Sequence, residues 1–121
     1  MRFFKRGETA VSRFIFRDFI SNEPIDVENP QYDIVYHSNG DEIEVVELSD
    51  LQKVEGKIGI YICSWEIPEI AIENATYFVT GYGVNQVRET NLIVEDMYRV
   101  LPITFFGDVS NGGITAKFSV T

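Results

Sequence analysis

Short apolar runs separated by turn residues constrain this chain more than any other feature. They are clearest between Leu51 and Val100, where segments rich in Ile, Val, Tyr and Phe alternate with Gly, Pro, Asn and Asp. Runs of this length and composition are typical of β-strands, and no stretch of useful length shows the apolar period of an amphipathic helix. The pattern therefore predicts an all-β domain.

Period-two alternation and turn signals mark the individual strands. In the first strand, Phe14 and Phe16 fall on one face, and Arg13 falls on the other. Asn39-Gly40 predicts a tight antiparallel hairpin, because both residue types tolerate the positive φ angles of a two-residue turn. The predicted strands are residues 10–20, 31–37, 42–48, 58–66, 75–84 and 87–100, followed by a C-terminal hairpin of residues 103–109 and 114–120.

One helical turn is expected between the third and fourth strands. Ser49-Asp50-Leu51-Gln52 has the form of a capping box, and Gly56 is a suitable stop. Seven or eight short strands with turns at nearly regular spacing favour an antiparallel β-sandwich over a barrel.

Length and composition suit a single domain with its own core. The chain has 121 residues, and 13% of them are aromatic. Its one cysteine, Cys63, excludes an internal disulfide and suits a reducing compartment. The basic residues at the N-terminus are not followed by an apolar segment of signal-peptide length. No run approaches the roughly 20 apolar residues of a membrane span. We expect a soluble protein made in the cytoplasm.

Charge is divided unevenly along the chain. The net charge is −9, but residues 1–17 carry +4 and the remainder carries −13. An acidic body repels nucleic acid and anionic membranes, so neither is expected as a partner. The basic segment 1–9 is either a frayed terminus or an extended arm that docks on a neighbouring subunit. The arm contacts predicted for the second interpretation are Arg2, Phe3, Phe4, Lys5 and Arg6.

Candidate catalytic groups are few. His37 is the single histidine and lies beside the predicted Asn39-Gly40 hairpin, where a solvated imidazole is ordinary. Cys63 shares a strand face with Tyr61 and Trp65, which indicates a small buried core residue and not a nucleophile. We therefore expect no catalytic residue.

Carboxylates cluster between Asp41 and Glu55 without the spacing of a calcium loop. Glu42 and Glu44 fall on one face of the predicted strand, and Glu47 falls on the other. They predict a solvated acidic edge that discourages pairing between sheet edges. No metal and no cofactor are expected.

The strands and turns resemble the immunoglobulin-like β-modules of structural proteins in tailed bacteriophages. The resemblance covers roughly residues 12–100 and leaves out the C-terminal segment. It is carried by the turn Asn22–Val27, the strand–hairpin–strand of residues 31–48, the lead-in residues Leu51 and Gly56, and the strand residues Tyr61, Trp65, Tyr77, Val79, Glu95, Met97 and Val100. In that family these residues build the sandwich, and none is catalytic.

The resemblance implies an immunoglobulin-like sandwich at residues 10–101, a basic arm at 1–9 and a C-terminal hairpin or docking extension at 102–121. It also implies a non-enzymatic virion protein: a head decoration, a neck adaptor or a tail accessory. Such a protein is a homo-oligomer or is present in many copies. It binds neighbouring virion proteins through its termini and sheet edges.

A carbohydrate- or host-surface-binding module is the alternative. It requires that Tyr32, Tyr36, Tyr82 and Tyr98 lie together on one exposed face, where their rings would stack on sugars. An enzyme would require convergent polar groups around His37.

Overall fold

Two β-sheets make up the part of the chain that the computed structural model describes, which is residues 2–38, 40–69, 71 and 75–101. Within these ranges the fold is all-β, with eight strands. They are β1 (Arg2–Phe4), β2 (Thr9–Ile15), β3 (Glu28–Ser38), β4 (Asp41–Asp50), β5 (Gln52–Lys53), β6 (Ile60–Glu66), β7 (Thr76–Asn85) and β8 (Thr90–Val100). None of the described residues forms a helix that is long and apolar enough to cross a membrane.

The two sheets divide the strands in an immunoglobulin-type order. One sheet has the order β1-β8-β7-β3-β4, and the other has the order β2-β6-β5. With β2, β3, β5, β6, β7 and β8 taken as strands B, C, D, E, F and G, the B-E-D sheet opposes the G-F-C sheet. Strand β4 extends the second sheet as the C′ strand of a variable-type domain does. The predicted β-sandwich is confirmed.

The predicted alternation is confirmed in β2 and β6. Phe14 and Phe16 are buried while Arg13 is exposed, and Tyr61 and Cys63 are buried in the core. Trp65 is partly buried and packs against the same core cluster. Alternate side chains therefore line the interior, as period-two patterning requires.

The predicted hairpin joins β3 to β4. The two strands pair antiparallel from Ser38 opposite Asp41, and Gly40 has a φ of +84°. A positive φ at this position is what a two-residue hairpin turn needs. Asn39 and the predicted strands at 103–109 and 114–120 lie outside the described residues.

The predicted helical turn after Ser49 is wrong. Strand β4 continues to Asp50, and Gln52 and Lys53 pair with β6. Between them, the Leu51 N–H donates to the Pro30 carbonyl at 3.0 Å, and the Leu51 side chain is buried. The chain crosses between sheets here, so strand pairing on both sides overrides the local capping signal.

The N-terminal segment lies in the larger sheet. Strand β1 runs parallel to β8, with Arg2 opposite Tyr98 and Phe4 opposite Val100. The Leu101 N–H also donates to the Phe4 carbonyl at 2.8 Å. The structure thus places residues 2–4 in the sheet of their own chain, where the sequence predicts an arm.

An aromatic layer separates the two sheets. The Tyr77 ring lies between Tyr36 and Tyr98 of the neighbouring strands, with centroid distances of 5.2 and 6.3 Å. Trp65 from the opposite sheet packs on Tyr77 at 5.3 Å. Tyr98 is 1% exposed, and its hydroxyl has no hydrogen-bond partner among the described residues. The ring packs in the core, while the hydroxyl loses water without gaining a partner.

Two replacements at Tyr98 separate these contributions. Tyr98→Phe keeps the ring and removes the unpaired hydroxyl, so the free energy of unfolding should stay unchanged or rise by up to about 1 kcal/mol. Tyr98→Ala removes the ring and should lower it by about 3–5 kcal/mol. Urea unfolding followed by Trp65 fluorescence measures both. A loss above about 1 kcal/mol for Tyr98→Phe would show that the hydroxyl has a stabilising partner.

Candidate partner-binding surface

Three connections meet at one end of the sandwich, which we call the loop end. They are residues 16–27 after β2, 54–59 before β6, and 86–89 between β7 and β8. Ile15 at the end of β2 pairs with Ile60 at the start of β6, and Glu28 at the start of β3 pairs with Val84 near the end of β7. The pairing therefore brings the three connections together.

Gly59 joins the first two connections. Its carbonyl accepts a hydrogen bond from the Phe16 N–H at 2.9 Å, and its own N–H donates to Asp26 Oδ1 at 2.8 Å. Its φ is +78°, and a Cβ here would lie 2.9 Å from the Phe16 oxygen and from the Ile25 nitrogen. Only glycine fits so close an approach in this conformation.

Asp26 adds a charged contact between the same two loops. Besides the Gly59 N–H, its Oδ1 accepts a hydrogen bond from Lys53 Nζ at 2.9 Å. The hydrogen bond from Gly59, and then the Lys53 ammonium, lower the pKa of this carboxyl. The carboxylate is therefore the stable form here, and it holds residues 16–27 against both ends of the second connection.

Asp18 joins the first connection to the third. The single N–H of Arg88 Nε is shared between the two Asp18 carboxylate oxygens, at 2.6 and 2.9 Å, and Asn85 Nδ2 donates to the carboxylate at 3.3 Å. The N–H groups of Ile20 and Ser21 donate to the same carboxylate. These bonds, that of Arg88 foremost, outweigh burial and lower the pKa of Asp18 to about 2.

Large apolar side chains project from each of these braced loops. Phe19, Ile20, Ile58 and Val87 are 66%, 63%, 65% and 87% exposed. We call these four residues the apolar tip. Exposed apolar side chains gathered in one region of a surface are typical of protein interaction sites. The bracing also reduces the entropy that ordering the loops would cost on binding.

The predicted arm residues contact their own domain. The Arg2 guanidinium binds the Asp96 carboxylate, and Phe4 packs edge-on against the Tyr98 ring at 5.4 Å. Arg6 Nη2 donates to the Ala71 carbonyl at 2.6 Å. Lys5 is half-buried, while Phe3 on the outer side of β1 is 55% exposed. A partner contact by these residues stays a prediction.

The predicted tyrosine face does not form. Tyr98 is buried, so the prediction of an exposed Tyr98 is wrong: it pairs with Tyr77 on the inner face of the sheet. Tyr36 also lies opposite Tyr77, and Tyr32 lies opposite the buried Gly81. Tyr82 lies on the outer face, where its hydroxyl donates to Asp33 Oδ2 at 3.3 Å. The alternation within each strand is visible in the sequence, but the register between strands is not.

The remaining candidate groups lie apart from one another. His37 Nε2 is 4.0 Å from a Glu42 carboxylate oxygen, and both side chains are more than half exposed. Burial raises the pKa of the Cys63 thiol to about 11, so the thiol stays protonated at neutral pH. Across the described residues, no three His, Cys, Asp or Glu side chains are grouped so that they could hold a metal ion.

The sequence contains weak signals for the apolar tip. Phe19 and Ile20 directly precede the Ser21–Pro24 turn, Ile58 precedes Gly59, and Val87 follows the Asn85-Gln86 turn. Apolar residues on turns are unusual, but only the strand pairing shows that these turns share one end. Protein-family models, curated proteins and solved structures were compared with the chain, and none matches it.

Alanine at Gly59 and at Gly56 tests the close approach of the first two loops. The two φ angles are nearly equal, +78° and +80°, but a Cβ at Gly56 has no atom within 4 Å. Gly56→Ala should lower the free energy of unfolding by about 1–2 kcal/mol through backbone strain alone. Gly59→Ala should cost about 1–3 kcal/mol more through the added clash. Equal losses in denaturant unfolding would contradict the close approach.

Acid should weaken the contacts by which Asp18 holds the first connection to Arg88 and Asn85. Its pKa in the folded chain, about 2, is below the ordinary 3.8, so its stabilising effect is complete above about pH 4 and is lost as the pH falls toward 2. The melting temperature of wild type should exceed that of Asp18→Asn at neutral pH, and the gap should narrow below pH 4. Glu23→Gln, in the same loop, is the control and should show no such gap. A gap that does not change with pH would refute the assignment.

Proposed function

We propose that this protein is a non-enzymatic structural module of a multi-protein assembly and that its loop end binds a neighbouring protein. The observation that carries the proposal is the apolar tip. Its four exposed side chains stand on loops that the Asp18–Arg88 ion pair and Gly59 hold in place. Large apolar groups kept in water on fixed loops cost solvation free energy that a partner surface would recover.

The surroundings of the tip match the anatomy of a protein interface. Exposed charged residues lie next to the apolar ones along the chain: Arg17, Glu23, Lys57 and Glu89. Protein interfaces combine an apolar centre with a polar, solvated rim. The net charge of −9 disfavours nucleic acid and anionic membranes as partners.

A virion is the assembly that we propose, with the protein on the head, neck or tail. The support is the resemblance of residues 12–100 to immunoglobulin-like modules of tailed bacteriophages, and the strand order is compatible with it. Many symmetry-related copies would let weak individual contacts add up to firm attachment. The carbohydrate-binding alternative loses the shared tyrosine face on which it depends, and we do not propose it.

Serine at Phe19 and Val87 tests the loop end. The double variant should co-sediment with virus particles at least tenfold less than wild type, because truncating the hot-spot residues of an interface costs about 2 kcal/mol or more. Ile93→Ser is the matched control: Ile93 is 65% exposed on the outer face of β8 and should bind as wild type does. Melting temperatures verify that both variants fold.

Each other outcome of this experiment has a definite meaning. Failure of wild type to co-sediment would overturn the virion proposal. Equal binding by wild type and the double variant would overturn the role of the loop end. Phe3→Ser is tested beside them: if it alone loses binding, the contact lies at the N-terminal residues, as the sequence predicts.

A further inference from the structure

An apolar cleft opens between the sheets far from the loop end. Its volume is about 280 Å³, and its walls contain few polar atoms. The lining residues are Tyr36, Ile43, Val45, Trp65, Pro68, Ala71 and Tyr77. Pockets lined by aromatic and aliphatic side chains of this kind are typical binding sites.

The cleft exists because the smaller sheet is incomplete. Strand β5 has two residues, which pair with Tyr61 and Ile62 of β6. In the described part of the chain, the Cys63–Glu66 half of β6 has no strand beside it on that side. Ile43 and Val45 of β4 face this region and stay 38% exposed. The sandwich therefore lacks the apolar contacts that one further strand would make at this position.

Strand β4 borders the cleft and forms the edge of the larger sheet. It pairs with β3 on one side, and among the described residues no strand pairs with its other side. An edge strand offers backbone N–H and C=O groups with which an additional strand can form hydrogen bonds. The open edge and the cleft thus lie together, as a strand-addition site requires.

Charge determines which strand can join this edge. Residues 41–50 include no Lys or Arg, and their carboxylates are all on exposed residues: Asp41, Glu42, Glu44, Glu47 and Asp50. The same edge of a second copy would be repelled, because like charges facing each other across strands are destabilising. A strand bearing Lys or Arg would be attracted. The chain's own Arg2 is bound to Asp96 at the opposite edge, and Arg6 donates to the carbonyl of Ala71, a residue that lines the cleft.

We propose that the β4 edge and the cleft accept an extended basic segment of another protein. Its backbone pairs with β4, its apolar side chains enter the cleft beside Trp65, and its Lys or Arg side chains face the β4 carboxylates. This surface is separate from the loop end, so the inference does not depend on what the loop end binds.

A synthetic peptide of about eight residues that alternates lysine and valine is the probe. Trp65 is the only tryptophan and lines the cleft, so its fluorescence should change on binding. Raising the salt concentration from about 0.1 M to about 0.5 M should weaken binding at least tenfold, because the Debye length falls from about 10 Å to about 4 Å. A peptide with glutamate in place of lysine should not bind. No signal with the lysine peptide in fluorescence or calorimetry would overturn the inference.

Two sets of variants locate the bound peptide. Val45→Ser and the pair Glu44→Lys with Glu47→Lys should each weaken binding at least tenfold. The pair Glu89→Lys with Glu95→Lys, on exposed residues of β8 and the turn before it, makes the same charge change away from the cleft and should bind as wild type does. Equal binding by Val45→Ser and wild type would place the peptide elsewhere and refute the site. Phe19→Ser with Val87→Ser should bind the peptide normally, which separates this result from the test of the loop end.

Discussion

Packing two sheets of unequal width against one aromatic layer is the constraint on which the rest of this structure depends. Tyr77 lies between Tyr36 and Tyr98 in the larger sheet and meets Trp65 from the smaller one. Rings of this size set the distance between the sheets and bury much of the apolar area that stabilises the fold. The space between β4 and the smaller sheet stays open, because β5 is too short to place a strand opposite β4. The cleft beside Trp65 is thus a direct result of how the core is built.

The two ends of the sandwich use polar contacts for different purposes. At the loop end, Asp18 and Asp26 each accept several hydrogen bonds, which keeps both carboxylates ionised and fixes loops that carry exposed apolar groups. At the other end, Arg2 and Arg6 attach the first residues of the chain to its own body. The same type of interaction therefore fixes exposed loops at one end of the sandwich and attaches the first strand to the sheet at the other.

Local chemistry predicted those elements whose conformation is set within a few residues. The alternation of Phe14 and Phe16 identified the buried face of β2, and Asn39-Gly40 identified the hairpin. Predictions that needed to know the neighbouring strand failed. The capping box at Ser49 gave way to sheet pairing, and Tyr98 is buried because it faces Tyr77 across β7 and β8. For the same reason the apolar tip is not visible as a unit in the sequence: its members are up to 68 positions apart, on loops that only the strand register brings to one end of the sandwich.

The parallel pairing of β1 with β8 affects how the domain can be attached to a larger body. Residues 2–4 lie beside residues 98–100, and because the two strands run in the same direction, Phe4 and Val100 both lead toward the end of the sandwich opposite the loops. Strand β8 has 11 residues, which corresponds to about 36 Å of extended chain. A domain held through the chain that continues from β8 would keep its loops roughly that length away from its support. Its loops would point outward, free to reach a second body without steric conflict with the first.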